Sequence, residues 1–232
     1  MSQFHTFVDF VLHVKGVEYL IAIGFLLTFI FFFRSLKTPA APARAKETVV
    51  GRAMDYIRGL LVPEGIAYHQ GHTWARLEGA ATALVGLDDF ATKLVGKIDK
   101  VVLPPVGAEL RQGEKAWSLV VDGKNVDMVS PVNGKVIALN PRADEAVNSD
   151  PYGQGWLLKV ESPKLNASAR NLLTGLLAKK WTEQSVENLF ARTSAQLGAV
   201  AADGGMPVTG VAKQIDAQHW DRIAREIFFT DN

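Results

Sequence analysis

Two pairs of side chains have residue types and spacings that could do chemistry. His69 and His72 stand three residues apart, which would suit two metal ligands on one helix face, and Asp88 and Asp89 could form an acid/base pair. The elements that must position them argue against both. The histidines lie in sequence typical of turn and strand, and the aspartates open "LDDFATKL", where carboxylates cap a helix N-terminus. We therefore predict no metal site, no catalytic residues and no enzymatic activity.

The composition narrows the chemistry further. The chain has 232 residues, 48% of them hydrophobic, which is enough for one ordinary core and a small second one. Cysteine is absent, which excludes disulfides, thiolate metal sites and cysteine nucleophiles. The net charge is +1 and no basic run is interleaved with aromatic residues, so nucleic-acid binding is disfavoured. The glycine-rich residues 204–210 lack the lysine of a phosphate loop and are interpreted as a linker.

An apolar stretch near the N-terminus predicts a transmembrane helix. Residues 17–33, "VEYLIAIGFLLTFIFFF", contain one charge, and the preceding "FVDFVLHV" could extend the helix toward the roughly 20 residues that a bilayer requires. A soluble core helix is disfavoured because no polar face is left for water. A cleaved signal peptide is the other alternative, since "ARA" at 43–45 resembles a cleavage site, but the positive charges follow the apolar run. We assign residues 1–36 to an N-terminal segment with one transmembrane helix.

The charges around this stretch predict its orientation. Four basic residues follow it and one precedes it; these are Arg34, Lys37, Arg44 and Lys46 after it and Lys15 before it. The positive-inside rule then places the N-terminus outside and the main domain in the cytoplasm, as in a single-pass protein of the inner membrane. Residues 37–61 are predicted to form a proline- and alanine-rich tether that ends in a short helix, "MDYIRGLL".

The segment from 62 to 197 has the pattern of a small all-β domain followed by helices. Short segments of β-type sequence are separated by Gly, Pro, Asn and Asp turns; they are "HTWARLEG", "ATALVGL", "KIDKVVLP", "AWSLVV", "NVDMVS", "KVIALN" and "GWLLKVE". Such spacing favours a β-sandwich or barrel.

Several of these stretches, in the same order, resemble the glycine cleavage system H protein family of the lipoyl and biotinyl carrier superfamily. The stretches are "VPEGIAYHQGHTWARLEG", "ATALVGLDDFATKLVGKIDKVVLPPVGAELRQGE", "SPVNGKVIALNP" and "VNSDPYGQGWLLKVE". They cover roughly residues 62–162. The resemblance implies a mainly β, lipoyl-domain-like barrel-sandwich hybrid with C-terminal α-helices packed on it.

The resemblance also implies a protruding hairpin with a lysine that carries lipoate through an amide bond. The family places this lysine seven residues before the serine of "SPV", with a glutamate three residues earlier. Counted without gaps from Ser130, these positions are Gly123 and Val120. Lys124 stands one residue late, so the lipoyl-lysine position is predicted to be lost.

Hairpin geometry gives an independent prediction for Lys124. Asp-Gly favours a two-residue type I′ turn, and Asp122–Gly123 as that turn puts apolar residues on one face. The predicted cross-strand pairs are Val121 with Lys124, Val120 with Asn125, Leu119 with Val126, Ser118 with Asp127 and Trp117 with Met128. Lys124 is then either a strand-end lysine beside the turn, with no cofactor, or a displaced attachment site for lipoate.

Helical patterns follow the β domain. In "SARNLLTGLLAKKW" one predicted helical face holds Ala169, Leu172, Leu173, Leu176 and Leu177, and "TEQSVENLFARTSAQL" continues the pattern. Residues 198–232 are predicted to be a linker and an amphipathic helix with Trp220, Ile223, Ile227 and Phe228 on its apolar face. This helix could dock on its own domain or anchor into a groove of a partner.

These features favour a non-enzymatic, membrane-anchored subunit that serves as a docking or assembly module in a larger complex. Its partners would be the membrane and other proteins, with no small-molecule substrate. The first alternative is a lipoyl carrier of a glycine-cleavage-like or related system, with lipoate on Lys124. The second is an envelope adaptor resembling membrane-fusion proteins, which would require the main domain to lie outside.

Overall fold

The computed structural model describes residues 9, 18–19, 21–32, 56–197 and 207–231, without the side chains of 193–197. It contains two compact units, Met1–Val50 and Gly51–Asn232. In the first unit residues 21–32 are helical. Among the described residues, none of the helices combines the length and hydrophobicity that a bilayer crossing requires. The flanking basic residues, the proline-rich tether and residues 198–206 of the predicted linker lie outside the described residues.

The second unit is mainly β with helices toward its C-terminus, as predicted. Its strands are β1 (Tyr56–Ile57), β2 (Leu60–Leu61), β3 (Ala67–His69), β4 (Thr73–Leu77), β5 (Thr82–Leu87), β6 (Lys100–Val102), β7 (Glu109–Leu110), β8 (Lys115–Val121), β9 (Lys124–Val129), β10 (Gly134–Leu139) and β11 (Leu158–Glu161). Its helices are α1 (Asp89–Val95), α2 (Ala143–Ala146), α3 (Leu165–Ala169), α4 (Gly175–Leu197), α5 (Val211–Ile215) and α6 (Trp220–Ile227).

Two sheets enclose the main core. One has the strand order β3-β4-β5-β11-β10-β7 and the other the order β6-β8-β9. Alternate residues of each strand point inward, so Leu119 and Val126 of the smaller sheet lie in one buried cluster with Val85 and Val160 of the larger sheet. A second cluster brings Trp74 together with Ala178 of α4. All seven predicted strand segments therefore contain strands, and the predicted mainly β fold with C-terminal helices is confirmed.

The predicted short helix in "MDYIRGLL" is wrong where the structure describes it. Residues 56–61 form a hairpin, in which Tyr56 pairs with Leu61 and Ile57 with Leu60. Its central residues Arg58 and Gly59 have φ values of 51° and 78°, as a type I′ turn requires. The Leu61 N–H donates to the carboxylate of Asp89 at 2.9 Å, a contact that a local helix pattern does not reveal.

The predicted helical face after the β domain is also wrong. The chain leaves the helical conformation between α3 and α4, where Leu173 and Tyr68 exchange two backbone hydrogen bonds of 2.8 Å. This interruption resets the phase of the helix, so Leu176 and Leu177 remain 73% and 69% exposed. The buried residues of α4 are instead Ala178, Thr182, Val186 and Leu189.

Residues 207–231 form a helical segment on the domain, which we call the C-terminal cap. Trp220 is 3% exposed and lies in the main core cluster with Ala224 and Phe228. Helix α6 lies against β9, the outer strand of the three-stranded sheet, and the Thr230 hydroxyl donates to the Asp127 carbonyl at 3.2 Å. An uncovered outer strand exposes unpaired backbone groups, so the cap protects this edge. The interpretation that the amphipathic helix docks on its own domain is confirmed.

Candidate functional site

The β8–β9 hairpin has the register that the sequence predicts. All five predicted pairs are present, from Val121 with Lys124 to Trp117 with Met128. Asp122 and Gly123 have φ values of 48° and 75°, so both central residues adopt the left-handed conformation of a type I′ turn. Nothing lies within 4 Å of a Cβ built on Gly123, so the position matching the family's lysine is open. Backbone conformation, and not crowding, limits which residue can stand there.

Asp122 ties the tip of the hairpin to two other parts of the molecule. Its N–H donates to the carboxylate of Asp99, the residue before β6, with a length of 3.0 Å. Its own carboxylate accepts from Nζ of Lys213, in α5 of the C-terminal cap, at 2.5 Å. The tip is therefore fixed on both sides.

Lys124 contacts the C-terminal cap with its amine, and its side chain is 37% exposed. Its Nζ donates to Asp221 Oδ1 at 2.5 Å and also to the backbone carbonyl of Gln218. The same ammonium lies 5.7 Å from the centroid of the Trp220 ring, while that of Lys213 lies 5.1 Å from it. At these distances the face of an aromatic ring attracts cations through its quadrupole. The buried Trp220 therefore attracts both Lys124 of the hairpin and Lys213 of α5.

The charges at the tip favour the docked cap. Burial raises the pKa of the Asp221 carboxyl, but the hydrogen bond and charge of Lys124, with the charge of Arg225, outweigh burial and lower the pKa overall. Asp221 bridges Lys124 and Arg225, and its side chain is 15% exposed. A charge-assisted pair in a partly buried position is stronger than an exposed one.

A lipoyl group on Lys124 does not fit this arrangement. An amide at Nζ would remove the charge that pairs with Asp221 and leave a single N–H for two acceptors. Acylation of Lys124 therefore requires its amine to leave Asp221 and Gln218.

The other sequence candidates do not combine into a site of their own. His69 Nδ1 accepts from the Gly71 N–H at 3.0 Å, while His72 turns to Asp88 at 2.8 Å. Within the part of the chain that the structure describes, no three His, Asp or Glu side chains are grouped as a metal site would require. The two histidines thus have separate local partners.

The predicted role of Asp88 and Asp89 at a helix N-terminus is confirmed. Asp88 is the N-cap of α1, and its Oδ1 accepts from the Ala91 N–H at 2.8 Å. Asp89 points to the β1–β2 hairpin and accepts from the Leu61 N–H, and burial raises the pKa of its carboxyl. The two carboxylates face different partners, so they form no acid/base pair.

The residues that bind Lys124 and His72 could not be predicted from the sequence, because both contacts are made across the fold. Lys124 meets Asp221 across 97 positions of the chain, and His72 meets Asp88 across 16. The alternation that predicted the hairpin contains no information about either contact. The signals that could have suggested the first are the acidic Asp221 beside Trp220 in the amphipathic stretch and two lysines without an evident local partner.

Comparisons with known proteins point to one family. The model of the family described as "Glycine cleavage H-protein" matches residues 66–186. The glycine cleavage system H protein of Marinobacter nauticus is 37% identical over 103 residues, which are 43% of this chain and 79% of that protein. That of Rubrobacter xylanophilus is 40% identical over 110 residues, covering 45% and 86%. A solved structure of the H protein from Mycobacterium marinum aligns with 25% identity and a TM-score of 0.47, over 54% of this chain and 99% of that one.

Proposed function

Because the chain belongs to the glycine cleavage H-protein family, we propose that it is a non-enzymatic H-protein-like subunit, anchored in the membrane, that serves as a docking or assembly module in a larger complex. In this proposal the carrier fold is kept as a rigid body. The hairpin that would present a cofactor is instead part of that body.

The observation that carries this proposal is the closed hairpin tip. Gly123 stands where the family resemblance implies the lipoyl-lysine, and Lys124 is held by Asp221, Gln218 and Trp220 of the C-terminal cap. A swinging arm needs an attachment point that is free to move between partners. The Lys124 amine is instead held by two acceptors and an aromatic ring, so it is not free to move between partners.

The membrane part of the proposal rests on the sequence. Residues 17–33 are nearly continuous apolar sequence, and the excess of basic residues after them favours a cytoplasmic main domain in a single-pass protein of the inner membrane. The proline-rich tether would then connect the two.

The second candidate function is a lipoyl carrier with lipoate on Lys124. Membership of the H-protein family favours it, since the relatives are glycine cleavage system H proteins. Under this alternative the Lys124 amine must leave Asp221 and Gln218 of the C-terminal cap before it is modified.

The intact mass of the natively expressed protein separates the two candidates. The docking module has the mass of the unmodified chain, and Lys124→Arg differs from it by that substitution alone. A mass increase corresponding to one lipoyl group, lost in Lys124→Arg, would establish the carrier and refute the module. Lys97→Arg, at an exposed lysine outside the hairpin, is the matched control and should leave any adduct in place.

The topology has its own test. A reporter that is active in the cytoplasm, fused after Asn232, should be active and should sediment with membranes. An inactive fusion would favour an envelope adaptor with its main domain outside. A fusion that stays in the soluble fraction would refute the membrane anchor and leave the question of the hairpin to the mass measurement.

A further inference from the structure

Among the described residues of the second unit, the three most exposed large apolar side chains lie on two neighbouring elements. Leu176 and Leu177, at the start of α4, are 73% and 69% exposed, and Tyr56, at the start of β1, is 63% exposed. We call these three residues the apolar face. Single exposed apolar residues are common, but a group of them marks an interaction site.

One packed cluster lies beneath the apolar face. Ala178 of α4 is buried in the second hydrophobic cluster, and Ile57 of β1 is packed against the same cluster. Tyr56 directly precedes Ile57, and Leu177 directly precedes Ala178. The exposed residues of both elements therefore border the same cluster.

Ion pairs also join β1–β2 to α4. A guanidinium nitrogen of Arg58 lies 3.4 Å from a carboxylate oxygen of Glu187 and 3.9 Å from one of Glu183. Leu176 stands two helical turns before Glu183, on the same side of the helix and about 10 Å from it along the axis. The apolar face is thus one surface made by two elements that contact each other.

The apolar face lies where the predicted tether joins the domain. Tyr56 is the first described residue of the second unit, and it follows directly on the tether and its proline- and alanine-rich stretch. In the proposed function this tether begins at the membrane anchor. A surface beside the point of attachment reaches the bilayer with the shortest stretch of chain.

The chain around the two leucines is basic. Between residues 164 and 182 it contains no Asp or Glu and four basic residues, which are Lys164, Arg170, Lys179 and Lys180. Apolar side chains flanked by lysine and arginine are typical of segments that lie on an anionic membrane surface.

Two of these lysines have acidic neighbours outside the basic stretch. The ammonium of Lys180 lies 3.0 Å from a carboxylate oxygen of Glu183, and that of Lys179 lies 3.7 Å from one of Glu64. Exposed ion pairs of this kind contribute little, so an anionic surface can compete for both lysines.

The size of the apolar face favours a membrane over a protein partner. A stable protein interface involves about 20–30 residues on each side, far more than this face offers. A weak contact is sufficient when a tether keeps the domain near the bilayer, because a short flexible linker gives an effective concentration in about the millimolar range.

We propose that the apolar face is a membrane-contact surface, in which Tyr56, Leu176 and Leu177 enter the headgroup region of an anionic bilayer. The neighbouring lysines and Arg170 face the negative surface charge. This inference deepens the proposed membrane attachment and rests on it. It is independent of the state of Lys124.

Site-specific labelling tests the proposal, because the chain contains no cysteine of its own. The full chain is reconstituted in vesicles of phosphatidylethanolamine and phosphatidylglycerol, with the environment-sensitive fluorophore NBD on Leu177→Cys. The NBD emission should shift to the blue and should be quenched by lipids with brominated acyl chains.

The matched control is Val106→Cys. Val106 is 59% exposed and lies in the loop before β7, the last strand at one edge of the six-stranded sheet. The opposite edge is β3, whose Tyr68 pairs with Leu173 just before α4. NBD on Val106→Cys should therefore show neither the blue shift nor the quenching.

Two changes should weaken the contact at residue 177. Adding Leu176→Asp to Leu177→Cys places a carboxylate on the apolar face and should abolish the quenching. Leu176 is exposed, so the fold should be unaffected. Vesicles of phosphatidylcholine alone lack the negative surface charge and should quench less. Unchanged quenching after Leu176→Asp would contradict the proposal.

Flotation of the unaltered chain with the same vesicles separates the failure of this inference from the failure of the anchor. A chain that floats after a high-salt wash, with equal quenching at residues 177 and 106, would keep the anchor and overturn the membrane-contact surface. A blue shift at residue 177 without quenching would show that protein covers the face, and would also overturn it. A chain that does not float would refute both the anchor and the contact.

Discussion

The β1–β2 and β8–β9 hairpins have the same type of turn, but their stabilising contacts come from different parts of the chain. Each closes on a two-residue turn whose central residues have positive φ, Arg58–Gly59 in one and Asp122–Gly123 in the other. The β8–β9 hairpin has six paired positions and could be predicted to the residue; the β1–β2 hairpin has two and was mistaken for a helix.

The difference lies in where the stabilising contacts come from. The alternation of β8 and β9 buries one face of the ribbon, and the Asp-Gly turn fits its twist, so the local sequence is sufficient. The β1–β2 hairpin is too short to be stable alone. It depends on the hydrogen bond from the Leu61 N–H to Asp89 and on an ion pair between Arg58 and Glu187. In this pair a guanidinium nitrogen lies 3.4 Å from a carboxylate oxygen, and the two residues are 129 positions apart in the chain. A local pattern predicts an element only when the element's own residues stabilise it.

The tip of β8–β9 nevertheless depends on distant residues, and the largest expected effect comes from removing them. Trp220→Ala should lower the free energy of unfolding by about 3–5 kcal/mol, because it empties a buried aromatic site. It should also increase hydrogen exchange in β9, which the C-terminal cap covers. Denaturant unfolding and amide exchange measure both.

The matched control for this change is Leu176→Ala. Leu176 is 73% exposed, so its truncation should cost less than about 0.5 kcal/mol. A loss below about 1 kcal/mol in Trp220→Ala, with unchanged exchange in β9, would mean that the cap does not hold the hairpin in solution.

The support of the β1–β2 hairpin is tested at Asp89. Asp89→Ala removes the acceptor for the Leu61 N–H and should cost about 1.5–3 kcal/mol, as expected for a hydrogen bond to a charged group. Amide exchange should rise selectively in residues 56–61, while the β8–β9 hairpin stays protected. Asp89→Asn keeps an acceptor oxygen, so its free energy of unfolding should lie between those of Asp89→Ala and the unaltered chain. An equal loss of amide protection in both hairpins would contradict the claim that Asp89 stabilises the β1–β2 hairpin selectively.

The two turns themselves should respond alike. Gly123→Ala and Gly59→Ala each place a Cβ on a residue with positive φ, so each should cost about 1–2 kcal/mol. Asparagine tolerates this conformation, so Gly123→Asn should cost less than Gly123→Ala. Chemical denaturation of the variants measures the differences. A neutral Gly123→Ala would show that the turn is not type I′ in solution.

The smallest expected effect is the pH dependence of the ion pair at the tip. The pKa of Asp221 is lowered in the folded protein, so its contribution to stability is present above the unfolded pKa of about 3.9 and is lost as pH falls through the folded pKa. The contribution should be below about 1 kcal/mol, since the pair is partly exposed. Unfolding measured from pH 6 to pH 3 should show a shallower acid loss in Asp221→Asn. Identical pH profiles for the unaltered chain and Asp221→Asn would show that the ion pair of Asp221 does not contribute to stability.

The sequence predicted the elements that are encoded by the spacing of apolar residues and by the order of the motifs. Alternation predicted the strands and the register at Asp122–Gly123, and "LDDFATKL" predicted the N-cap at Asp88. The missed features are contacts between distant residues, such as Lys213 with Asp122 across 91 positions, and the break before α4. Helical periodicity assumes an unbroken helix, so a single backbone pairing at Leu173 was enough to shift the predicted face onto solvent.

The central claim, that the C-terminal cap holds Lys124 and the hairpin presents no arm, is tested most directly by amine reactivity resolved for each lysine. The full chain is labelled briefly with an amine-reactive ester and analysed by mass spectrometry, with the exposed Lys97 as internal reference. Lys124 should react about fivefold more slowly than Lys97, because its amine must first leave Asp221 at a cost of about 1 kcal/mol, and Trp220→Ala should largely abolish the difference. Equal reactivity of Lys124 and Lys97 in the unaltered chain would contradict the account.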